Sequence, residues 1–142
     1  MLTFAFSESK HVPRTDLVGL YSSVGWAAYA SDPDALVRAV EQSSYVVTAR
    51  DSDGELVGLA RVISDEATIC YLQDILVSPR QQRSGLGRTM LEKVLARYVH
   101  VRQKVLLTDD EPGQRAFYES LGFTEGHDFS PTPLRAFVRI GS

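Results

Sequence analysis

Residues 72–88 constrain the fold of this chain more than any other stretch. Leu72-Gln73-Asp74-Ile75-Leu76-Val77 reads as an apolar strand and Ser78-Pro79-Arg80-Gln81 as a polar turn. Gln82-Arg83-Ser84-Gly85-Leu86-Gly87-Arg88 then enters a helix whose first turn holds two glycines. The helix is expected over residues 85–99. Leu86, Met90, Leu91, Val94, Leu95, Tyr98 and Val99 fall on one stripe, and Arg88, Glu92, Lys93 and Arg97 lie off it. A short strand at 104–107 would complete a strand–helix–strand unit.

The elements around this unit are read from period and punctuation. Residues 2–6 form a short apolar run suited to opening a sheet. Leu17, Leu20, Tyr21 and Val24 recur at helical spacing over 14–26. Asp32-Pro33 starts a second helix to about residue 42, with Asp as cap and Pro at the first helical position. Strands 45–50 and 56–63 flank Asp51-Ser52-Asp53-Gly54, a hairpin signature, and a third strand follows over 67–77. A helix over 111–121 is stopped by Gly122, and 123–126 with 134–140 would close the sheet as an antiparallel pair. This order predicts an α/β fold with a mixed, mostly antiparallel central sheet flanked by helices on both faces.

Composition excludes several function classes. A chain of 142 residues suits a single domain over 1–142, and 44% apolar residues suffice for an ordinary core. Net charge is −3, against the basic balance of a general nucleic-acid binder. No apolar run approaches the ~18 residues of a membrane span, and the first residues lack a secretion pattern. The lone Cys70 permits no internal disulfide and reads as packing. His11, His100 and His127 are scattered without metal-ligand spacing, so no metal is expected. A cytoplasmic protein without nucleic-acid or membrane partners is the expectation.

The glycine turn points to a phosphate ligand. The first amides of a helix lack internal acceptors and sit at the positive end of its dipole. Without Cβ atoms, Gly85 and Gly87 let a bulky pyrophosphate approach the backbone, and Arg80, Arg83 and Arg88 add positive charge. A Walker loop needs Gly-Lys-Ser/Thr, but Gly87 precedes Arg88-Thr89; a dinucleotide fingerprint needs a third glycine, which is missing. Gln82, Gly85 and Gly87 instead match Gln/Arg-x-x-Gly-x-Gly/Ala. Some thirty residues on, Ala116-Phe117-Tyr118-Glu119-Ser120-Leu121-Gly122-Phe123 forms a second block.

Together these blocks resemble the acetyl-CoA motif and the "FYxxxGF" signature of the GNAT superfamily, a likeness covering roughly residues 45–123. The resemblance implies a sheet that splays beside the 72–77 strand to admit the pantetheine arm. It implies that Ile75 and Val77 pair with that arm through their backbones. Gln82, Arg83, Ser84, Gly85, Leu86, Gly87 and Arg88 would hold the pyrophosphate, and Tyr118 would lie near the CoA sulfur. It also implies acetyl transfer from acetyl-CoA to a primary amine by direct attack in a ternary complex. The strand 72–77 is similar to that of relatives acting on small amines.

The chemistry asks for three groups. A backbone N–H, of Ile75 or Leu76, would stabilise the developing oxyanion. Tyr118 would donate a proton to the departing thiolate. A base is harder to place: Asp74 is the candidate, but strict alternation sets it opposite Tyr71, Gln73, Ile75 and Val77 unless a bulge re-aims it. Trp26, Tyr29 and Gln73 are candidates for the acceptor side, with Tyr21 nearby. Trp26 and Tyr29 read alternatively as core residues. Asp109 would either hold a cationic acceptor or cap the following helix. A non-catalytic acyl-CoA-binding module is the alternative function, with a nucleotide-binding fold third. A homodimer pairing through 134–140 is left open.

Overall fold

The computed structural model describes residues 3–141. It divides into two compact units, Met1–Leu107 and Thr108–Ser142. In the first, a five-stranded sheet runs in the order β1 (Ala5–Ser7), β2 (Tyr45–Arg50), β3 (Leu56–Ser64), β4 (Ile69–Val77), β5 (Gln103–Leu106). All neighbours are antiparallel except β4 and β5, which run parallel. The expected mixed sheet is therefore present. Of the run expected to open it, Leu2 lies outside the described residues.

Three helices precede β2: α1 (Arg14–Ser23), α2 (Ala27–Ala30) and α3 (Pro33–Glu41). The single helix expected over 14–26 is broken at Gly25, whose φ of +81° suits glycine and no β-branched residue. Asp32 caps α3 as expected, its Oδ1 accepting the Ala35 N–H at 3.2 Å. Leu17, Leu20 and Tyr21 of α1, with Leu36 and Val40 of α3, pack on Val46, Leu59 and Leu76 of the sheet.

Helix α4 (Leu86–Arg97) covers the opposite sheet face. Gly58 makes this possible: a Cβ there would stand 3.0 Å from the Met90 Sδ and 3.1 Å from a Leu86 methyl. The start of α4 thus lies tight against β3. The helix is shorter than expected. Tyr98 ends it and is buried, but Val99 is 77% exposed and leaves the apolar stripe.

The β2–β3 turn closes as the hairpin signature requires. The Gly54 N–H donates to Asp51 O, and Gly54 has a φ of +82°. In the β3–β4 turn, Asp65 Oδ1 accepts the N–H groups of Ala67, Thr68 and Ile69 at 3.0, 2.8 and 3.1 Å.

The second unit holds α5 (Gln114–Glu119) and a 3₁₀ turn at Gly126–Asp128. Arg115 ties it together through Glu119, Glu125 and Asp128. Two expectations fail here. The helix starts at 114 instead of 111, because Gly113 adopts φ +94° and resets the chain. Residues 123–126 and 134–140 form no strand pair. The Leu134 N–H reaches Gly126 O at 2.7 Å, with Pro131 and Pro133 in the link between the two runs. Phe137 and Ile140 are accordingly exposed.

Candidate functional site

The pairing of β4 defines the site. Its parallel contact with β5 ends at the pair Leu72 and Leu106. From Gln73 to Val77 only β3 flanks it among the described residues, through Asp74–Arg61, Ile75–Ala60, Leu76–Leu59 and Val77–Gly58. The strand therefore has an open edge where the resemblance asks for one. The Ser78 N–H donates to Val57 O at 2.8 Å. Antiparallel pairs alternate, so Leu76 and Asp74 share Ser78's direction toward β3. The N–H and C=O of Ile75 and Val77 then face the open edge. Of the two amides considered for an oxyanion, this parity selects Ile75 over Leu76.

The open edge runs into the glycine turn. After a 3₁₀ turn at Pro79–Gln81, Gln82 is extended, and Arg83 and Gly85 take left-handed backbones with φ of +65° and +84°. A left-handed arginine is uncommon and costs energy that the surrounding turn must offset. No side chain caps α4 at Gly85. Ser84 Oγ lies 3.3 Å from the Leu86 N–H and donates to Gln81 O at 2.5 Å, folding the loop over itself. Gln82, Arg83 and Arg88 are exposed at its rim, with Arg88 Nη1 3.5 Å from Glu92; Gly87 is half-buried. The Gln81 Oε1 is buried without a partner beside this turn. This donor set of main-chain amides and guanidinium groups suits a diphosphate.

On the helical side, β4 departs from the expected alternation. The register steps from Arg61–Asp74 directly to Val62–Leu72, leaving Gln73 as an extra residue in a β-bulge. Gln73 and Asp74 consequently both address the helices. The Gln73 amide donates to the Tyr29 hydroxyl at 3.2 Å, and the Tyr21 hydroxyl donates to Asp74 Oδ2 at 2.9 Å. Tyr21, Trp26 and Tyr29 form a three-ring cluster with centroids 5.4 to 6.0 Å apart. Tyr21 is wholly buried, whereas Trp26 and Tyr29 are half-buried and keep ring surface open.

This placement encloses Asp74, the candidate base. It is 2% exposed, and its Oδ2 also accepts the Arg61 Nε–H at 2.5 Å. Arg61 Nη1 lies 3.4 Å from Ser43 Oγ, so the network closes on buried polar groups. Burial alone would lower the Arg61 pKa, but the Asp74 carboxylate outweighs it and the net shift is upward. Burial first, then the Asp74 charge, raises the Tyr21 phenol. A carboxylate so enclosed cannot meet an incoming amine. Arg61 was not singled out in the sequence. The available signal was a lone charge inside the apolar run 56–63, facing a lone acid inside 69–77.

In the second unit, Tyr118 packs between Phe117 and Phe123, with ring centroids 5.0 and 6.0 Å away. Its hydroxyl pKa is raised by burial first and by the Asp109 charge second. Asp109 Oδ1 accepts the Glu111 N–H at 3.2 Å and lies 3.3 Å from the Gln114 amide. It thus braces the turn before α5, whose cap position is Gly113. Cys70 is buried and its thiol is pushed up by burial. Among the described residues, no cluster of three metal-ligating side chains is present, and no helix is long and apolar enough to cross a membrane.

Comparison with known proteins agrees with this geometry. Residues 15–129 match the family described as acetyltransferase (GNAT) domain. The chain is 28% identical over 126 residues to an uncharacterized N-acetyltransferase of Pyropia yezoensis, covering 86% of this chain and 71% of that protein. It is 31% identical over 131 residues to a histone acetyltransferase of Glycine max, covering 83% of this chain and 54% of that longer protein. A GNAT family acetyltransferase structure from Streptococcus pneumoniae superposes with a TM-score of 0.80 at 27% identity, over 97% of this chain and all of the other.

Proposed function

The chain belongs to the GNAT family of acetyltransferases, and from that premise we propose that it transfers an acetyl group from acetyl-CoA to a primary amine on a small molecule. The reaction is direct attack in a ternary complex, carried out by residues 1–142 as one domain. The carrying observation is the open edge of β4 beyond Leu72, leading into the left-handed turn at Arg83 and Gly85.

Acetyl-CoA supplies the activated acyl group as a thioester. The main chain of Ile75 and Val77 pairs with the pantetheine arm along the open edge. Main-chain amides at the start of α4 hold the diphosphate, with Arg83 and Arg88 at the rim. The Ile75 N–H stabilises negative charge developing on the acyl oxygen. Tyr118, assigned by family likeness, protonates the departing sulfur. Burial and the nearby Asp109 keep its phenol in the protonated form an acid requires. With Asp74 enclosed, the amine's proton passes to water.

The acceptor side favours an amine on an aromatic or apolar body. Trp26 and Tyr29 present ring surface, Gln73 is neutral, and the Asp74 carboxylate is paired with Arg61. A lysine in a basic peptide would call for free acidic groups instead.

The test is calorimetry with acetyl-CoA followed by a thiol-release assay. Phenethylamine, tryptamine, spermidine and a lysine peptide serve as acceptors. Turnover on the arylalkylamines ahead of the peptide supports the proposal. Uptake of acetyl-CoA with no turnover on any amine leaves the non-catalytic acyl-CoA-binding module. Absence of uptake removes both.

A further inference from the structure

We infer that Gln73 and Asp74 are positioning residues that couple the acyl-CoA edge of β4 to the aromatic wall formed by Tyr21, Trp26 and Tyr29. The inference rests on the acetyltransferase reading above and adds to it a mechanical link between the two substrate sites.

Neighbouring residues in a strand normally point to opposite faces. The bulge at Gln73 suspends that rule for one step, so two consecutive side chains grip the helical layer. Gln73 holds Tyr29 of α2 at 3.2 Å, and Asp74 holds Tyr21 of α1 at 2.9 Å. Arg61 pins Asp74 from the next strand at 2.5 Å. These are also the residues at which β4 loses β5 and its edge opens. One short stretch of backbone therefore carries the edge offered to the thioester and both hydrogen bonds to the acceptor wall.

The chemistry of the link suits transmission. Tyr21, Asp74 and Arg61 are 0%, 2% and 6% exposed. Slippage in such a cluster would strand a charge without its partner, at far greater cost than sliding two apolar groups. A small displacement of residues 73–75 is therefore passed on to Tyr21 and Tyr29 instead of being absorbed between them. Because Tyr21 packs edge-on against Trp26 at 5.9 Å, the movement reaches that ring as well. An apolar pair in place of Arg61 and Asp74 would fill the core equally well but would fix neither rotamer nor distance.

Trp26 is the sole tryptophan of the chain, so its emission reports on the wall alone. The experiment titrates the 142-residue chain with acetyl-CoA, following heat and Trp26 emission in parallel. It is repeated for Tyr21→Phe and for Gln73→Leu, the latter at a half-buried position. The unmodified protein is expected to take up acetyl-CoA with a change in Trp26 emission. Both variants are expected to bind within about fivefold of that affinity, the lower end of ordinary coupling, and to lose most of the emission change. Binding by the unmodified protein with unaltered emission overturns the inference and leaves the acetyltransferase reading standing. So does an undiminished emission change in either variant, which would mean that the cofactor acts on Trp26 directly. Loss of affinity in Gln73→Leu well beyond fivefold also overturns it, by assigning Gln73 to the cofactor. No heat with the unmodified protein overturns the acetyltransferase reading, and the inference with it.

Discussion

Arg61 and Asp74 face each other across β3 and β4, the Arg61 Nε 2.5 Å from the Asp74 Oδ2, with both side chains closed to solvent. Taking away one partner leaves the other charge buried and alone, at a cost of about 3–5 kcal/mol. Asp74→Ala and Arg61→Ala should each lower the urea midpoint accordingly. The double replacement Arg61→Met with Asp74→Leu should cost much less than the sum of the single changes, since no charge is then stranded. Equal and additive losses would show that the pair is not coupled.

Gly85 and Gly54 offer a matched comparison. Both have φ near +83°, at +84° and +82°, and a Cβ at either would meet nothing within 4 Å. Alanine at either position therefore costs only the left-handed penalty of about 1–2 kcal/mol. At Gly54 the loss should appear in thermal stability alone. At Gly85 the loop can relax out of its binding conformation, so acetyl-CoA affinity should fall about tenfold, the equivalent of about 1.4 kcal/mol. Calorimetry on the two variants separates a binding turn from a merely tight one.

Tyr118→Phe keeps the ring and removes the proton. If the hydroxyl is the acid, kcat should drop about a hundredfold, with the acetyl-CoA dissociation constant unmoved. The pH profile carries a second signature. The Tyr118 pKa is raised above its ordinary 10.0, so the acid stays protonated at every pH below that value. Activity should climb with pH as the acceptor amine loses its proton, with no alkaline decline before about pH 10. A decline near neutrality, shared by Tyr118→Phe, would assign the titration to another group.

Asp65 should govern acid stability. The Thr68 hydroxyl, together with the N–H groups of Thr68, Ala67 and Ile69, holds its pKa well below the ordinary 3.8. A lowered folded value contributes stability that is present above the unfolded pKa and lost as pH falls through the folded one. Melting temperatures of the native chain and Asp65→Asn should differ by a steady gap above about pH 3.8 and draw together as pH falls from there through the lower folded value. A gap independent of pH would point to lost geometry instead of lost charge.

Much of this architecture was legible from neighbouring residues. The period of Leu86, Met90, Leu91 and Val94 announced α4, and all four are buried. Asp32-Pro33 announced the start of α3, and Gly54 the hairpin. Gly85 announced the turn that enters α4, but its left-handed backbone and the lack of a side-chain cap are seen only in the structure. The misreadings fall where distant groups compete. Asp74 was named as a candidate base with no partner in view, because Arg61, thirteen positions earlier, meets it only once β3 and β4 are in register. Residues 134–140 have strand-like alternation, yet no strand forms, because alternation names a face and not a neighbour to pair with.

Helix entry, apolar period and the glycine turn are written within a few positions of one another. Their backbone preferences act locally, so the order of residues suffices to read them. Strand register, the bulge at Gln73 and the enclosure of Asp74 arise from contacts summed between strands and helices far apart in the chain. A one-residue slip there exchanges the faces of a whole strand. Which side chains meet across β3, β4 and α1 was therefore a matter for packing, and with it the distinction between a reacting carboxylate and a bracing one.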